Sequence, residues 1–515
     1  MDRLQQQPLL SAEKALLIIT ITAVAVFCLQ HFSDNKADVD IWGNLGFVTE
    51  LPWSSDFHRV NTYSYTEPDH QWINHEWLGQ YLLRKTFDLS GNTGLLLLKI
   101  LLGFSVVGLI NIAMRSDCRH GAIRFFYIIL IISTMGYGFS TRPHHFTYLM
   151  YAAFLLLLKK YPHNSFVLLI ALPIMGCVWA NLHGAFFIGL LLLLFQAGGR
   201  LITGASKKSI QKSAKFIFCS AALFVTASLV NPYGTHLWEF LLRSAIKLRP
   251  HLTEWAPFNP VRDFYAHPDF IALSLLTMVA IGFSKAKRDT VWLTVLTTSF
   301  VGALLMRRNI PLFAITAGFT ASAHLDNVAG DKLSNCVKRI PRLTLLAFMS
   351  ALLILSAYYT IAFNKTRPLE IEVPKNQFPV HVVEMLRINN INGNALVFFD
   401  WAEYCIWKLY PNCRVFMDGR FMSAYSSAVI NDYLGFFAIN DTWENALNNY
   451  DTDIVLIRRD DLVFDRMTER NDWTLAYLSD VAALFLKNDK HQEFFGKIRT
   501  KTLILPSIPQ TSIFP

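Results

Sequence analysis

The chain has 515 residues, of which 53% are hydrophobic and only 17% charged, with 40 phenylalanines and a formal net charge of +9. That is far more apolar surface than a soluble globule needs, which sets a soluble enzyme aside and marks an integral membrane protein. The Lys and Arg residues fall between apolar segments rather than in one patch, so the positive balance reports membrane topology and not a nucleic-acid partner.

Taken in chain order, the apolar stretches cover 15–29, 94–114, 125–139, 146–158, 166–179, 185–195, 216–230, 270–283, 291–306, 311–325 and 343–363. They predict about eleven transmembrane helices, several of them shorter than the roughly 20 residues a bilayer-crossing helix prefers. No small-x-small cleavage pattern follows the first stretch, so it reads as a span and not a leader. Basic clusters occupy every second connection: Arg115, Arg119 and Arg124; Lys159 and Lys160; Arg200 with Lys207, Lys208, Lys212 and Lys215; Lys285, Lys287 and Arg288; Lys332, Lys338, Arg339 and Arg342. Assigned to the cytoplasm, they place the tail after Phe363 outside.

The opposite connections then hold nearly all of the unusual polar residues. Asp38 and Asp40 come first, followed by His75 and Glu76, Arg142 with His144 and His145, Asn181 with His183, Asn231 with Tyr233, Glu254, and Arg307 with Arg308. Ionisable groups at the ends of spans are costly unless they face a cavity or a partner, so their convergence marks a functional face. The first outer loop, 30–92, interleaves Trp42, Trp53, Tyr63, Tyr65, Trp72 and Trp77 with acids and histidines. This composition suits short amphipathic helices on a membrane surface and aromatic faces that pack on sugar rings.

After residue 363 the pattern changes to an α/β alternation, with strands expected at 395–399, 414–417, 453–457 and 482–486 and helices at 426–437 and 442–449. The chain therefore divides into a transmembrane domain, 1–363, and an extracytoplasmic α/β domain, 364–515. Of the seven cysteines only Cys405 and Cys413 both fall outside, where an oxidising compartment would allow a disulfide. No P-loop, dinucleotide fingerprint or zinc spacing occurs.

Three features together resemble the GT-C superfamily of integral membrane glycosyltransferases, with the protein-mannosyltransferase-like and oligosaccharyltransferase-like branches nearest. They are Asp38-Val-Asp40-Ile-Trp42 after the first span, Trp72-Ile-Asn-His75-Glu76-Trp77-Leu78 before the second, and the many spans with an outer C-terminal domain. The stretches Arg142-Pro-His-His-Phe146, Asn181-Leu-His183-Gly184 and Asn231-Pro-Tyr-Gly234 fit the same group. The resemblance implies transfer of a sugar from a polyprenyl-phosphate donor to a glycan, lipid or protein acceptor at the outer face of a bacterial inner membrane. An acidic residue of the first outer loop then acts as base or metal holder. Many relatives follow the first acid with a second acid and a Tyr, whereas Ile41 and Trp42 follow Asp40 here; Asp40 is favoured as base, with Asp38 as its partner and Glu76 beside it. No cofactor is specified by the sequence, and a divalent ion held by Asp38 and Asp40 stays open.

That chemistry gives the cations a task. A departing phosphate needs fixed positive charge, and guanidinium grips phosphate oxygens in pairs, which selects Arg142, Arg307 and Arg308, with His75 near the reacting centre. His144 and His183 are secondary candidates. In the C-terminal domain, Phe398-Phe-Asp400-Trp401-Ala-Glu403 and Met417-Asp418-Gly-Arg420 are similar in layout to the Trp-Trp-Asp-Tyr-Gly region of oligosaccharyltransferases, which implies that Asp400, Trp401, Asp418 and Arg420 face the acceptor. Ala402 and Glu403 replace the Tyr-Gly of that region, so sequon recognition does not carry over. Two other readings stand beside the transferase on sugar or lipid acceptors. One is a carrier or flippase of a lipid-linked or anionic solute; the other is a protein O-mannosyl or oligosaccharyl transferase.

Overall fold

A computed structural model describes residues 12–49, 51–53, 59–161, 165–203, 207–245, 252–363, 369–507 and 512–515. The side chains of Arg200, Lys207, Lys208, Lys212 and Arg342, and residues 364–368 at the expected domain boundary, lie outside the described residues.

The helical part runs α1 (Ala12–Phe32), α2 (Ile41–Gly46), α3 (Trp77–Asp117), α4 (Gly121–Gly136), α5 (His144–Lys160), α6 (Phe166–Leu182), α7 (Phe187–Thr203), α8 (Lys207–Ser228), α9 (Thr235–Ala245), α10 (Pro268–Phe283), α11 (Thr290–Leu305), α12 (Ile310–Thr320), α13 (Ser322–Leu325), α14 (Asp331–Arg339) and α15 (Arg342–Phe363). Every apolar stretch of the sequence falls on one of these helices. One of them, α3, is clearly long and apolar enough to cross a membrane; several others are apolar but shorter. Helix α3 starts well before its apolar stretch and breaks at Gly91, whose φ of 58° and ψ of −149° suit only a residue without a Cβ. The break separates a polar first half, with Arg84 paired to Asp88 at 2.8 Å, from the apolar second half. At the centre lies α12, buried on all sides from Ile310 to Phe319, with Pro311 pre-setting its first turn. It packs against α3, α4, α5 and α11.

The connections gather at two ends of this helical layer. At one end Lys159 pairs with Asp117, the carboxylate of Asp326 accepts from the N–H groups of Arg119 and His120, and the Lys285 N–H donates to Asn327. At the other end meet Asp38, Arg142, His183, Tyr233, Glu254 and Arg307, and the C-terminal unit packs there on the segment that carries Asp38 and Asp40.

That unit holds a five-stranded sheet in the order β3-β2-β4-β6-β5, together with a two-stranded ribbon of β1 (Glu372–Val373) and β7 (Ser512–Ile513). The sheet strands are β2 (Gly393–Val397), β3 (Cys413–Val415), β4 (Ile454–Arg458), β5 (Trp473–Leu478) and β6 (Ala482–Lys487), flanked by α16 (Val380–Ile388), α17 (Ala402–Leu409) and α18 (Ser427–Ala438). β3, β2 and β4 run parallel, with β6 and β5 antiparallel at one side. Continuous apolar runs in β4 and β6 are buried on both faces, as a covered sheet requires. Cys405 and Cys413 are buried free thiols, so the expected disulfide is absent; the Cys413 thiol instead donates to the Ile391 carbonyl at 3.3 Å.

The first loop is not the row of surface helices its aromatics suggest. Among its described residues only α2, six residues long, lies ahead of α3, and the loop instead docks on the C-terminal unit. Ser64 bridges Val415, and the Tyr65 N–H bonds the Val415 carbonyl at 3.3 Å while the Val415 N–H bonds the Tyr63 carbonyl at 3.1 Å. This closes the otherwise open β3 edge. Trp42, Tyr63 and Trp72 are buried by the docking, Trp77 is buried where it bonds Asn181 of α6, and of the loop's tryptophans only Trp53 stands in the open.

The docking is locked by Arg420. Its Nε and Nη2 donate to both oxygens of Asp418 at 2.9 and 2.6 Å, Nη2 donates to Asn61 Oδ1 at 2.6 Å, and the rings of Phe47, Tyr63 and Trp72 surround the guanidinium at 4.7 to 5.2 Å. Both charged residues are buried, so neither faces an acceptor; they join loop to domain. Arg420→Ala leaves the Asp418 carboxylate buried without its partner, and we expect a loss of about 3–5 kcal/mol. A lowered melting temperature with earlier proteolysis near Trp53 measures it; an unchanged melting curve would refute the lock.

Candidate functional site

The acidic pair is set by a turn. Chain just after α1 is pinned to β1, where the Ala37 N–H bonds the Glu372 carbonyl at 2.7 Å. Asp38 Oδ1 then accepts the Asp40 N–H at 3.0 Å, the local bond by which Asp favours turns. Asp40 precedes α2 without capping it through its side chain. Both carboxylates are thereby free to meet Arg142, which enters from the α4–α5 connection one residue ahead of Pro143.

Arg142 is the hub. Its Nε donates to Asp38 Oδ1 at 2.6 Å, its Nη1 reaches Asp40 Oδ2 at 2.7 Å, and the same Nη1 lies 3.4 Å from both oxygens of Glu254. One cation thus serves three carboxylates, and it is not the free phosphate ligand the sequence suggests. Burial pushes the Asp38 carboxyl up, but the charge and hydrogen bond of Arg142 outweigh it and hold Asp38 below the usual range. For Asp40 burial wins over Arg142, with Asp38, Glu254 and Asp400 adding repulsion, and its carboxyl is raised to about 7. The two aspartates are therefore driven apart, one fixed as an anion and one poised near neutrality, the pattern that separates a structural charge from a working base.

Glu403, on α17, closes the far side. Its Oε2 accepts the Gly43 N–H at 3.0 Å, and a Cβ on Gly419 would lie 2.5 Å from its Oε1 and 3.2 Å from Asp40 Oδ1, so glycine alone allows this approach. Burial, then the charges of Asp40 and Asp418, raise the Glu403 carboxyl well above the usual range. Through the Gly43 bond Glu403 anchors α2 beside Asp40.

A second group lies against the same space. His183 Nε2 meets Glu76 Oε1 at 3.1 Å, and the Ala185 N–H donates to His183 Nδ1 at 3.1 Å, which fixes the neutral tautomer with its proton aimed at Glu76. His75 Nε2 is 3.5 Å from the same Glu76 oxygen. Burial opposes ionisation of Glu76, but His183 and His75 together hold it well below the usual range. Glu76 is thus an anion committed to two imidazoles rather than a second base.

The remaining candidates divide by their partners. Arg307 is taken up by Asp263 at 3.4 Å and by the Thr253 carbonyl, and it fastens the Glu254 turn. Arg308 stacks on Trp255 at 4.3 Å and has no carboxylate partner among the described residues, though it lies within electrostatic reach of Glu254 and His183. His144 Nε2 is 2.7 Å from the Gly138 carbonyl and braces the connection that carries Arg142. Asn181 and Tyr233 are structural: Asn181 Oδ1 accepts from Trp77 at 2.9 Å, and the Tyr233 hydroxyl accepts the Asn74 N–H at 3.0 Å. Trp401 is buried, its indole donating to the Gln377 carbonyl at 2.6 Å, and Asp400 is exposed beside the cluster.

A divalent ion between Asp38 and Asp40 does not fit these residues. Arg142 occupies the position between the two carboxylates, and no three His, Cys, Asp or Glu side chains among the described residues converge as metal ligands. Two members of the site escape sequence reasoning as working residues, Glu254 and Glu403. The signal for Glu403 is a lone acid in the apolar run Ala402 to Ile406, a placement that costs too much without a partner.

The fold and site together define a mostly helical protein with membrane-compatible helices and an α/β unit packed against a part-buried carboxylate–guanidinium cluster. No family model matches the chain, and no curated protein matches it.

Proposed function

We propose that the chain is a multi-pass membrane glycosyltransferase of GT-C type that moves a sugar from a polyprenyl-phosphate donor to an acceptor hydroxyl. In this reading the apolar helices are about eleven spans, the Asp38 to Arg308 end faces the periplasm, and the C-terminal unit is extracytoplasmic on an inner membrane. Asp40 takes the proton of the acceptor hydroxyl, whose oxygen attacks the anomeric carbon as the carrier phosphate departs. Asp38, locked to Arg142, keeps that guanidinium oriented, and Arg308, stacked on Trp255 without a carboxylate partner, receives the phosphate charge.

The observation that carries this reading is the division of the acidic pair around Arg142, a committed anion next to a carboxyl at about 7. The Arg142 cluster sits at one end of the helical layer and not in its middle, which favours a transferase over a carrier. Purified protein in lipid, given radiolabelled polyprenyl-phosphate sugars and membrane extract, should yield label in a non-lipid product. Label that stays on the carrier despite binding would instead support transport.

Arg308→Ala should raise KM for the donor by roughly 10–100-fold, the equivalent of about 1.5–3 kcal/mol for a bond to a charged group, with the melting temperature unchanged. Arg307→Ala, by contrast, should lower stability. Equal donor KM in wild type and Arg308→Ala would remove Arg308 from the phosphate site.

A further inference from the structure

The C-terminal sheet carries a crevice that the Asp40 cluster does not use. From β2 the chain crosses to β3 on one side, then returns past β2 to β4 on the other, so the connections leaving β2 and β4 diverge at the carboxyl ends of these two parallel strands. Such a switch point is where open α/β sheets form ligand crevices. Here it opens as a cavity of about 570 Å³, within the range of small-ligand sites. Phe398 and Asp400 come from the end of β2, and Arg458, Arg459 and Asp460 from the end of β4. Val39, the residue between the two site aspartates, also lines it, so crevice and cluster are contiguous.

We infer that this crevice binds a neutral oligosaccharide, with its reactive end toward Asp40. The lining presents two guanidiniums, three carboxylates (Asp400, Asp460 and Asp480) and the side of Phe398. Paired donors and acceptors of this kind match vicinal hydroxyls, and a ring face matches the apolar side of a sugar. Carboxylates outnumber guanidiniums, which disfavours an anionic chain. The Arg458 fork to Asp460, at 2.9 and 2.7 Å, is solvent-exposed and therefore weak enough for hydroxyls to replace. Arg458 also lies 5.5 Å over Phe398, so one side chain spans both walls. A peptide adding as a strand would instead seek a sheet edge, and neither edge strand, β3 or β5, lines the crevice.

The site stands by itself; only its role as acceptor site rests on the transferase reading. The test uses the full chain in lipid nanodiscs and fluorescent, uncharged, unbranched oligosaccharides of hexose and N-acetylhexosamine, read by anisotropy. At least one probe should bind, with affinity lowered about tenfold or more in both Arg458→Ala and Asp400→Asn, and unchanged in Arg466→Ala, an exposed site elsewhere on the unit. Absence of binding to every probe, binding indifferent to both crevice variants, or preference for sulfated over neutral chains would each overturn the inference. Crevice-dependent binding without sugar transfer from any donor would leave the site standing and remove the transferase reading alone.

Discussion

On the transferase reading, Asp40→Asn should lower sugar transfer by roughly 10²–10⁴-fold, the usual contribution of a general base, while insertion and melting temperature stay near those of the wild type. Asparagine keeps the shape and can still accept from Arg142, but it cannot take a proton. The wild-type enzyme should respond to pH accordingly. With the Asp40 carboxyl raised to about 7, activity falls about tenfold per pH unit below that value and levels off above it. The sign for stability is opposite. Because the folded value lies above the ordinary 3.8, the folded state prefers protonated Asp40; its contribution is full below 3.8 and is lost as pH rises through about 7. On that reading the working form is the one that the fold favours less. Asp38→Asn separates base from partner: it removes a charge that repels the ionised Asp40, so the acid limb moves to lower pH while activity persists. A wild-type pH profile that is flat between 5 and 8, or full activity in Asp40→Asn, would end the assignment of Asp40 as base.

The legible part of this protein is the part governed by local pattern. Apolar runs announced the helices because hydrophobicity over a dozen or more residues leaves few alternatives, and the β2, β4 and β6 runs announced the sheet core for the same reason. β5 went unseen: Trp-Thr-Leu-Ala-Tyr-Leu does not alternate, and a bulge between Leu475 and Tyr477 breaks the two-residue period. The convergence of Asp38, Asp40 and Arg142 was visible as a shared set of alternate connections between apolar runs, yet their bonding was not. Nothing in Arg142-Pro143 states that three carboxylates claim the guanidinium, and nothing in Asp418-Gly-Arg420 states that the pair folds on itself in a box of aromatics from the first loop. Those outcomes depend on contacts more than a hundred residues apart in sequence. The aromatic loop shows the same limit, since Trp42 and Trp72 have the composition of a sugar platform or of an interface core, and only the partner surface decides.

Arg142→Met should do more damage than any other single change at the site. It takes from Asp38 and Glu254 the guanidinium that both contact, and breaking this part-buried charge group from one side costs about 3 kcal/mol, the low end for a buried pair because Glu254 is part-exposed. The expected result is a clear fall in melting temperature together with loss of transfer. Arg142→Lys separates the two effects. An ammonium restores the charge from a single point, but it cannot place one donor on Asp38 and another between Asp40 and Glu254 as the planar guanidinium does. Lysine should therefore recover most of the melting temperature and little of kcat/KM. Adding Glu254→Gln to Arg142→Met gives the sharper test, since it removes one of the unpaired carboxylates. The double variant should melt above Arg142→Met, a non-additive gain expected only where the two residues share one electrostatic network. If the double variant melts no higher, the three carboxylates are held by something other than Arg142, and the hub of the site lies elsewhere.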